Sequence, residues 1–341
     1  MYRTEIEILN ELESIEKCLR LVSSQEEAIR STFLGTKKVW FVGSGSSFCL
    51  AKSAAAMLTM RCCLPAFAVA AGDLMLHAQR YLSMLEESVI VFVSRSGMTS
   101  EVLRVYDVVA GLPGVRTVSI CANEASGLNS KCTLSICAPW AFDESVCQTR
   151  TIGSFFSILA MICGILSGDE TLKRELLALP GMEADLNKRV IPLAKTIAQW
   201  DWRHVVVLSD AETGGLMEEG ALAFKEICCI NSNFYNLLDV RHGPMVMIDG
   251  KTLVFALLEG NGETELSLVR DLSKKTPALI TCGPFPEGLP GVEHFAIEGL
   301  TDPIAYSLAA LYILQHTALQ AALKLGQNPD EPKGLSAWIS L

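Results

Sequence analysis

Short runs of β-branched and aromatic residues alternate along this chain with longer stretches whose apolar residues recur at helical spacing. The runs fall at 38–42, 66–70, 88–93, 115–121 and 133–137, and the helical stretches near 47–61, 74–84, 99–110 and 150–166. Such alternation predicts a parallel, doubly wound sheet with helices on both faces. An acidic amphipathic helical stretch, 4–34, precedes this block, and a charged helical connector, 167–200, follows it with a break at Pro180-Gly181. The pattern then restarts, with a strand at 204–208, a helix at 216–230, strands near 234–239, 252–258, 277–282 and 294–297, and a helix at 303–325. Two halves of similar length and order suggest an internal duplication.

Two of the strand-to-helix turns carry chemistry. Ser94-Arg95-Ser96-Gly97-Met98-Thr99-Ser100-Glu101 follows the strand at 88–93 and opens the next helix. A helix start leaves backbone N–H groups unpaired and carries partial positive charge. Ser94, Ser96 and Thr99 add hydroxyls at the same spot, which makes a pocket for a small dianion such as a phosphate ester. A helix cap needs a single hydroxyl; four hydroxyl residues within positions 94–100 exceed that requirement. Upstream, Gly43-Ser44-Gly45-Ser46-Ser47 ends the strand at 38–42 in the same manner. Phe48 stands where a dinucleotide fingerprint has its third glycine, which argues against a nicotinamide cofactor, and no Gly-Lys-Ser/Thr follows to make a Walker loop. Hydroxyl turns at the ends of neighbouring strands would converge on one ligand at a topological switch point. In the second half Phe255-Ala256-Leu257-Leu258-Glu259-Gly260 occupies the matching place, so that half is expected to contribute something other than an anion site.

Composition narrows the classes. A formal charge of −10 disfavours nucleic acid as a partner. The N-terminus lacks the apolar core of a signal peptide, and the apolar stretch 155–166 is short for a bilayer span, so no membrane partner and a cytoplasmic location are expected. Twelve scattered cysteines without a C-x-x-C pair read as reduced, mostly buried thiols, and five separated histidines argue against a metal site.

The second half offers acid–base groups. Glu219 and Glu226 are seven residues apart and share a helix face. Asp239-Val240-Arg241-His242-Gly243-Pro244 follows, and the proline places His242 on a turn. A carboxylate and an imidazole are the usual agents of proton transfer near neutral pH. A solvated helix charge and a turn residue capping a carbonyl are the structural alternatives for Glu226 and His242.

Together, Gly43–Ser47, Ser94–Glu101, Glu219–Glu226 and Arg241–Pro244 resemble the signature of SIS (sugar isomerase) domain proteins, with likeness to the isomerase half of glucosamine-6-phosphate synthase and its stand-alone relatives. The resemblance covers essentially 35–341. It implies an α/β fold of two tandem SIS subdomains, each a five-stranded parallel sheet flanked by helices, doubly wound and flavodoxin-like. The implied divisions are a helical segment at 1–34, a phosphate-binding subdomain at 35–166, a connector at 167–203, an acid–base subdomain at 204–325, and a tail at 326–341 that closes the active site. It further implies that Ser47, Ser94, Arg95, Ser96 and Thr99 bind the substrate phosphate and that Gly45, Gln148 and Lys333 contact the sugar. Glu226 would move a proton between C1 and C2, and His242, supplied by the neighbouring subunit of a homodimer with shared sites, would help open the ring. No cofactor and no metal are implied.

Three departures shape the expected reaction. No amidotransferase segment with an N-terminal catalytic cysteine is present, so glutamine hydrolysis is not expected. Ala337 stands where the synthase tail carries a lysine, and Ala223 replaces another on the glutamate helix. The expectation is therefore an enzyme acting on an amino- or Amadori-sugar 6-phosphate, as a deaminase, deglycase or aldose–ketose isomerase. The alternative is a non-catalytic phosphosugar-sensing module, which would need the phosphate turns but not the acid–base pair.

Overall fold

The computed structural model describes residues 1–284 and 291–336. Helices α1 (Arg3–Leu9), α2 (Glu11–Ser24) and α3 (Glu26–Phe33) open the chain. Then β1 (Val39–Gly43), α4 (Ser46–Cys62), β2 (Ala66–Ala70), α5 (Ala71–Leu76), α6 (Ala78–Leu85), β3 (Val89–Val93), α7 (Ser100–Val109), β4 (Arg116–Cys121), α8 (Gly127–Lys131), β5 (Leu134–Cys137) and α9 (Arg150–Ser167) alternate. Helices α10 (Glu170–Ala178) and α11 (Glu183–Gln199) lead to the second series. It comprises β6 (His204–Leu208), α12 (Gly214–Cys228), β7 (Asn231–Tyr235), β8 (Thr252–Leu257), α13 (Glu263–Ser273), β9 (Leu279–Cys282), β10 (Glu293–Phe295) and α14 (Pro303–Lys324).

The chain divides into two compact units. The first holds Leu9–Glu144 and Gln148–Pro180; the second holds Met1–Ile8, Ser145–Cys147 and Gly181–Leu335. Each unit has its own five-stranded sheet, in the order β2-β1-β3-β4-β5 in the first and β7-β6-β8-β9-β10 in the second. All pairings are parallel. Numbered from its own first strand, each sheet reads 2-1-3-4-5, the flavodoxin-like doubly wound order. The repeat expected from the sequence is thus present in the strand order.

The central strands β1, β3 and β8 are buried along their full lengths, as strands covered by helices on both faces must be. Trp40, Val42, Ile90 and Phe92 pack with Val102, Val105 and Val109 of α7 in the first unit. Val206, Val254 and Ala256 pack with Leu268, Val269 and Leu272 of α13 in the second. Each such side chain contributes about 1.5–3 kcal/mol on full burial. Helix α9 is long and apolar enough to cross a membrane by length and composition. Here it is a core helix of the first unit, buried along most of its length against α2 and α4.

Three details differ from the pattern-based expectation. The strand placed at 234–239 is β7, Asn231–Tyr235. Its polar start suits an edge strand: Ser232 is bonded to the Ala221 carbonyl, and Asn233 meets His204 Nε2 at 2.9 Å. The apolar run beyond it leaves the sheet because Asp210 Oδ1 accepts from Asn236 Nδ2 at 2.8 Å and Leu237 N at 3.2 Å. The helix expected at 74–84 is two helices, α5 and α6, meeting at His77. Helices α8 and α13 were not expected; α8 is only five residues long, and α13 follows the glycine-containing segment 259–262.

Candidate active site

In the first unit β1 and β3 are hydrogen-bonded neighbours, and the strand order reverses between them. Their C-terminal ends therefore lie at the topological switch point, where ligands bind in open α/β sheets. The Gly43–Ser47 and Ser94–Thr99 turns leave from these two ends. Gly43 is required by close approach: a Cβ there would lie 2.6 Å from the backbone carbonyl of Ser47. Gly45, at φ +55°, caps α4 without a side-chain hydrogen bond and has nothing within 4 Å of a would-be Cβ. Ser47 is buried in the first turn of α4.

The turn after β3 is built by its own hydroxyls. Ser94 Oγ accepts from Gly97 N at 3.2 Å and lies 3.5 Å from Thr99 Oγ1, while Ser96 Oγ accepts from Met98 N at 3.1 Å. Asn123 Nδ2 donates to the Ser96 carbonyl at 2.9 Å, and Ser126 Oγ to the Gly97 carbonyl at 3.0 Å, so the neighbouring β4–α8 loop clamps the turn from behind. Gly97 has φ +60°, and a Cβ would come 2.1 Å from Ser126 Oγ, so only glycine fits. Thr99 is the N-cap of α7 but makes no side-chain cap bond.

Arg95 differs from the hydroxyls with which the sequence grouped it. It is buried, its Nη1 donates to the Asp143 carbonyl at 3.4 Å, and its guanidinium lies 5.5 Å from the Phe142 ring centre. Asp143 in turn fixes the loop before α9, its Oδ2 accepting from Thr149 N at 2.8 Å and Thr151 N at 2.9 Å. Gln148 sits on that loop, half-buried, with an Oε1 that is shielded from solvent and has no hydrogen-bond partner among the described residues.

In the second unit Glu226 lies on α12, half-buried, one residue beyond the exposed Lys225, and Glu219 on the same helix is buried. His242 is exposed at the end of a 3-10 turn, Asp239–Arg241, and its N–H donates to the Asp239 carbonyl at 2.8 Å. Arg241 ties this loop to α13 through Asp271 Oδ2 at 2.6 Å and Ser267 Oγ at 3.0 Å. Leu238, Val246 and Met247 flank His242 as exposed apolar side chains. Lys333 is exposed on the segment after α14. Ala337 lies outside the described residues. Among the described residues no cluster of histidine, cysteine, aspartate or glutamate could hold a metal ion.

The second unit also contains what the sequence did not reveal. The turn after β8 is the counterpart of the turn after β3, and it is occupied by the chain's own carboxylate. Glu265 Oε1 accepts from Glu259 N at 3.0 Å and Asn261 Nδ2 at 3.1 Å, and Oε2 accepts from Gly260 N at 2.9 Å and Asn261 N at 3.0 Å. The anion-binding character of this turn belongs to the fold; in the second unit it is satisfied internally. The only sequence sign was an acidic residue three positions after Gly262, which is indistinguishable from an ordinary first-turn glutamate.

Comparison with known proteins agrees with this architecture. The SIS domain model matches residues 33–162. The glutamine–fructose-6-phosphate aminotransferase (isomerizing) of Yersinia pseudotuberculosis is 23% identical over 272 residues, which cover 74% of this chain and 44% of that protein. The chain therefore spans less than half the length of that curated relative. Tagatose-6-phosphate ketose/aldose isomerase from Escherichia coli superposes with a TM-score of 0.87 at 18% identity, covering 99% of this chain and 95% of that one. Glucosamine-6-phosphate deaminase from Thermotoga maritima gives 0.75 at 23% identity, covering 95% and 100%. With this match and two sheets of the same strand order, the chain is similar to SIS-domain proteins, the likeness to the family model lying at residues 33–162.

Proposed function

We propose that the chain is a phosphosugar enzyme acting on an amino- or Amadori-sugar 6-phosphate. The hydroxyls of Ser47, Ser94, Ser96 and Thr99, at the positively polarised start of α7, hold the phosphate, and Gly45 and Gln148 contact the sugar. Glu226 takes a proton from C1 or C2 of the open-chain sugar and returns it to the neighbouring carbon. With an amine on C1 this converts an aminoketose into an aldimine; with an amine on C2 it converts an aminoaldose into a ketimine. Water then adds to the imine carbon, the C–N bond breaks and the amine leaves with a proton. Without an amine the same transfer interconverts an aldose and a ketose. Arg95 holds the loop that carries Gln148. His242 assists ring opening in the site of a second copy, its exposed, apolar-flanked loop being the surface offered to that copy. The chain works in the cytoplasm without cofactor or metal.

The observation that carries this reading is the pair of hydroxyl turns leaving adjacent strands at the switch point. The kinship with proteins named for fructose 6-phosphate, tagatose 6-phosphate and glucosamine 6-phosphate supports the substrate class. The test is a panel of amino-, Amadori- and simple sugar 6-phosphates assayed for amine release and aldose–ketose exchange with parent and Glu226→Gln. Turnover lost in the variant with binding retained supports it; binding without turnover in the parent leaves a sensing module instead.

A further inference from the structure

All twelve cysteines of the chain are free thiols, and two pairs of them meet inside the first unit. Cys121 and Cys137 are register partners on β4 and β5, with their sulfurs 4.0 Å apart. Cys62, the last residue of α4, meets Cys163 of α9. The Cys163 thiol is hydrogen-bonded to that of Cys62, and Cys62 Sγ lies 3.9 Å from the Cys163 carbonyl oxygen.

The two pairs differ in chemistry. Oxidation of a thiol starts from its thiolate and needs an approach from solvent. Cys121 is fully buried, and burial, with Cys121 beside it, pushes the Cys137 thiol up to about 12. That pair is close but unreactive. Cys62 is half-buried, so a small solute can reach it. Its thiol is held below the ordinary value, because the hydrogen bond from Cys163 outweighs burial and the Arg61 charge adds to it. Arg61 is itself fixed by Asp169, whose Oδ2 lies 3.0 Å from Nη1. Cys163 is fully buried, which leaves Cys62 as the solvent-facing member of the pair.

We propose that Cys62 and Cys163 are a peroxide-responsive pair, Cys62 being the thiol that is oxidised and Cys163 the thiol that resolves it. The Cys62 sulfur attacks one oxygen of hydrogen peroxide and the O–O bond breaks. Cys62 becomes a sulfenic acid, and the hydroxide released takes up a proton and leaves as water. The Cys163 sulfur then attacks the Cys62 sulfur. The S–S bond forms as the S–O bond breaks, and the hydroxyl leaves with the Cys163 proton as a second water. The two thiols lose two electrons and the peroxide gains them. Helix α4 begins at Ser46 and α9 at Arg150, and a rise of 1.5 Å per residue puts both sulfurs about 20 Å or more from those starts. The bond therefore ties two core helices at the ends remote from the hydroxyl turns. It shields Cys62 from irreversible oxidation rather than closing the proposed site.

The test exposes the folded protein to hydrogen peroxide, then denatures it, alkylates the remaining thiols and maps the peptides by mass. The linked Cys62–Cys163 peptides are the expected main product, formed about tenfold or more faster than any product at Cys137, since the thiolate fraction governs the rate. A dithiol reductant should return both residues to thiols. In Cys163→Ser the resolving thiol is gone, and Cys62 should remain a sulfenic acid that dimedone traps, then pass to sulfinic acid with more peroxide. The map of the parent decides by itself where that buried substitution prevents folding. Cys62 left alkylatable after peroxide, with or without oxidation of Cys63, Cys121 or Cys137, overturns the proposal. So does Cys62 oxidised without Cys163: a bond to Cys63, a bond between two copies, or a sulfinic acid in the parent.

Discussion

Glu265 Oε2 accepts the backbone N–H of Gly260 at 2.9 Å, inside the turn that repeats, in the second sheet, the place of the hydroxyl turn after β3. Three backbone N–H groups and the Asn261 side chain converge on this one carboxylate. Replacing Glu265 with Gln turns one acceptor into a donor facing those N–H groups. The expected loss of stability is about 2–3 kcal/mol, because hydrogen bonds to a charged group are the costly ones to leave unmade. Urea denaturation checks this, and a change under about 0.5 kcal/mol, the range of an ordinary surface substitution, would show that the carboxylate is dispensable.

In the first unit the corresponding turn is built by its own hydroxyls, and an external anion is expected to bind there. Ser96→Ala and Thr99→Val should each weaken binding of a 6-phosphosugar by about 1–3 kcal/mol. The unphosphorylated sugar should bind poorly to parent and variants alike. Calorimetry giving equal affinity for the phosphorylated and free sugars would remove the phosphate assignment.

Gly97→Ala should damage the same turn by a different route. Its backbone sits at φ +60°, and the added carbon would meet Ser126 Oγ at 2.1 Å. We expect a loss of about 1–3 kcal/mol in stability together with weaker phosphosugar binding, since the Ser126 clamp must give way. Unchanged melting and unchanged affinity would show that the turn adapts freely.

Subunit complementation tests the shared site. Glu226→Gln and His242→Ala chains, each inactive alone, should regain part of the activity when mixed, because a heterodimer restores one intact combination. Glu226→Gln should lower kcat by about 10²–10⁴-fold, the usual cost of losing an acid–base group, and leave phosphosugar affinity nearly unchanged. No recovery after verified subunit exchange would place both groups in a site made by one chain.

His316 on α14 provides a pH dependence of stability that is separate from catalysis. Burial lowers its imidazole from 6.5 to about 4, and its ring sits edge-on to Tyr312 at 4.4 Å, with no hydrogen-bond partner for Nε2 among the described residues. The unfolded chain takes up this proton before the folded one does, so stability falls as pH drops from about 6.5 to about 4, by about 3 kcal/mol in all. Glu11 acts in the opposite sense. Burial, aided by Asp143 and opposed by Arg150, lifts its carboxyl well above the ordinary value. Its contribution is present in acid and is lost as pH rises above the unfolded carboxylate range. Denaturation of parent and His316→Leu at pH 7 and pH 4.5 isolates the histidine: the loss on acidification should be about 2–3 kcal/mol smaller in the variant. An identical loss in both would show that His316 is protonated in the fold.

The strands of both sheets and the two hydroxyl turns were legible because each rests on local pattern. A central parallel strand is a short apolar run, and a turn at the end of such a run declares its chemistry in its own residues. Strand β7 was displaced because an edge strand tolerates Asn231, Ser232 and Asn233, which no apolar pattern marks. The burial of Arg95 against Phe142 and Asp143 joins residues 48 positions apart, and the meeting of Cys62 with Cys163 joins residues farther apart still. Pairings of that kind are set by how the units close, and no local pattern encodes them.

The stretch that fastens Asp330 to Thr4 and to Val146 has a consequence for the molecule's integrity. The second unit takes in Met1–Ile8 and Ser145–Cys147 besides Gly181–Leu335. The second unit is therefore not a severable C-terminal module. A fragment that begins in the connector lacks Met1–Ile8 and Ser145–Cys147, and with them the partners that hold Asp330 in the intact chain.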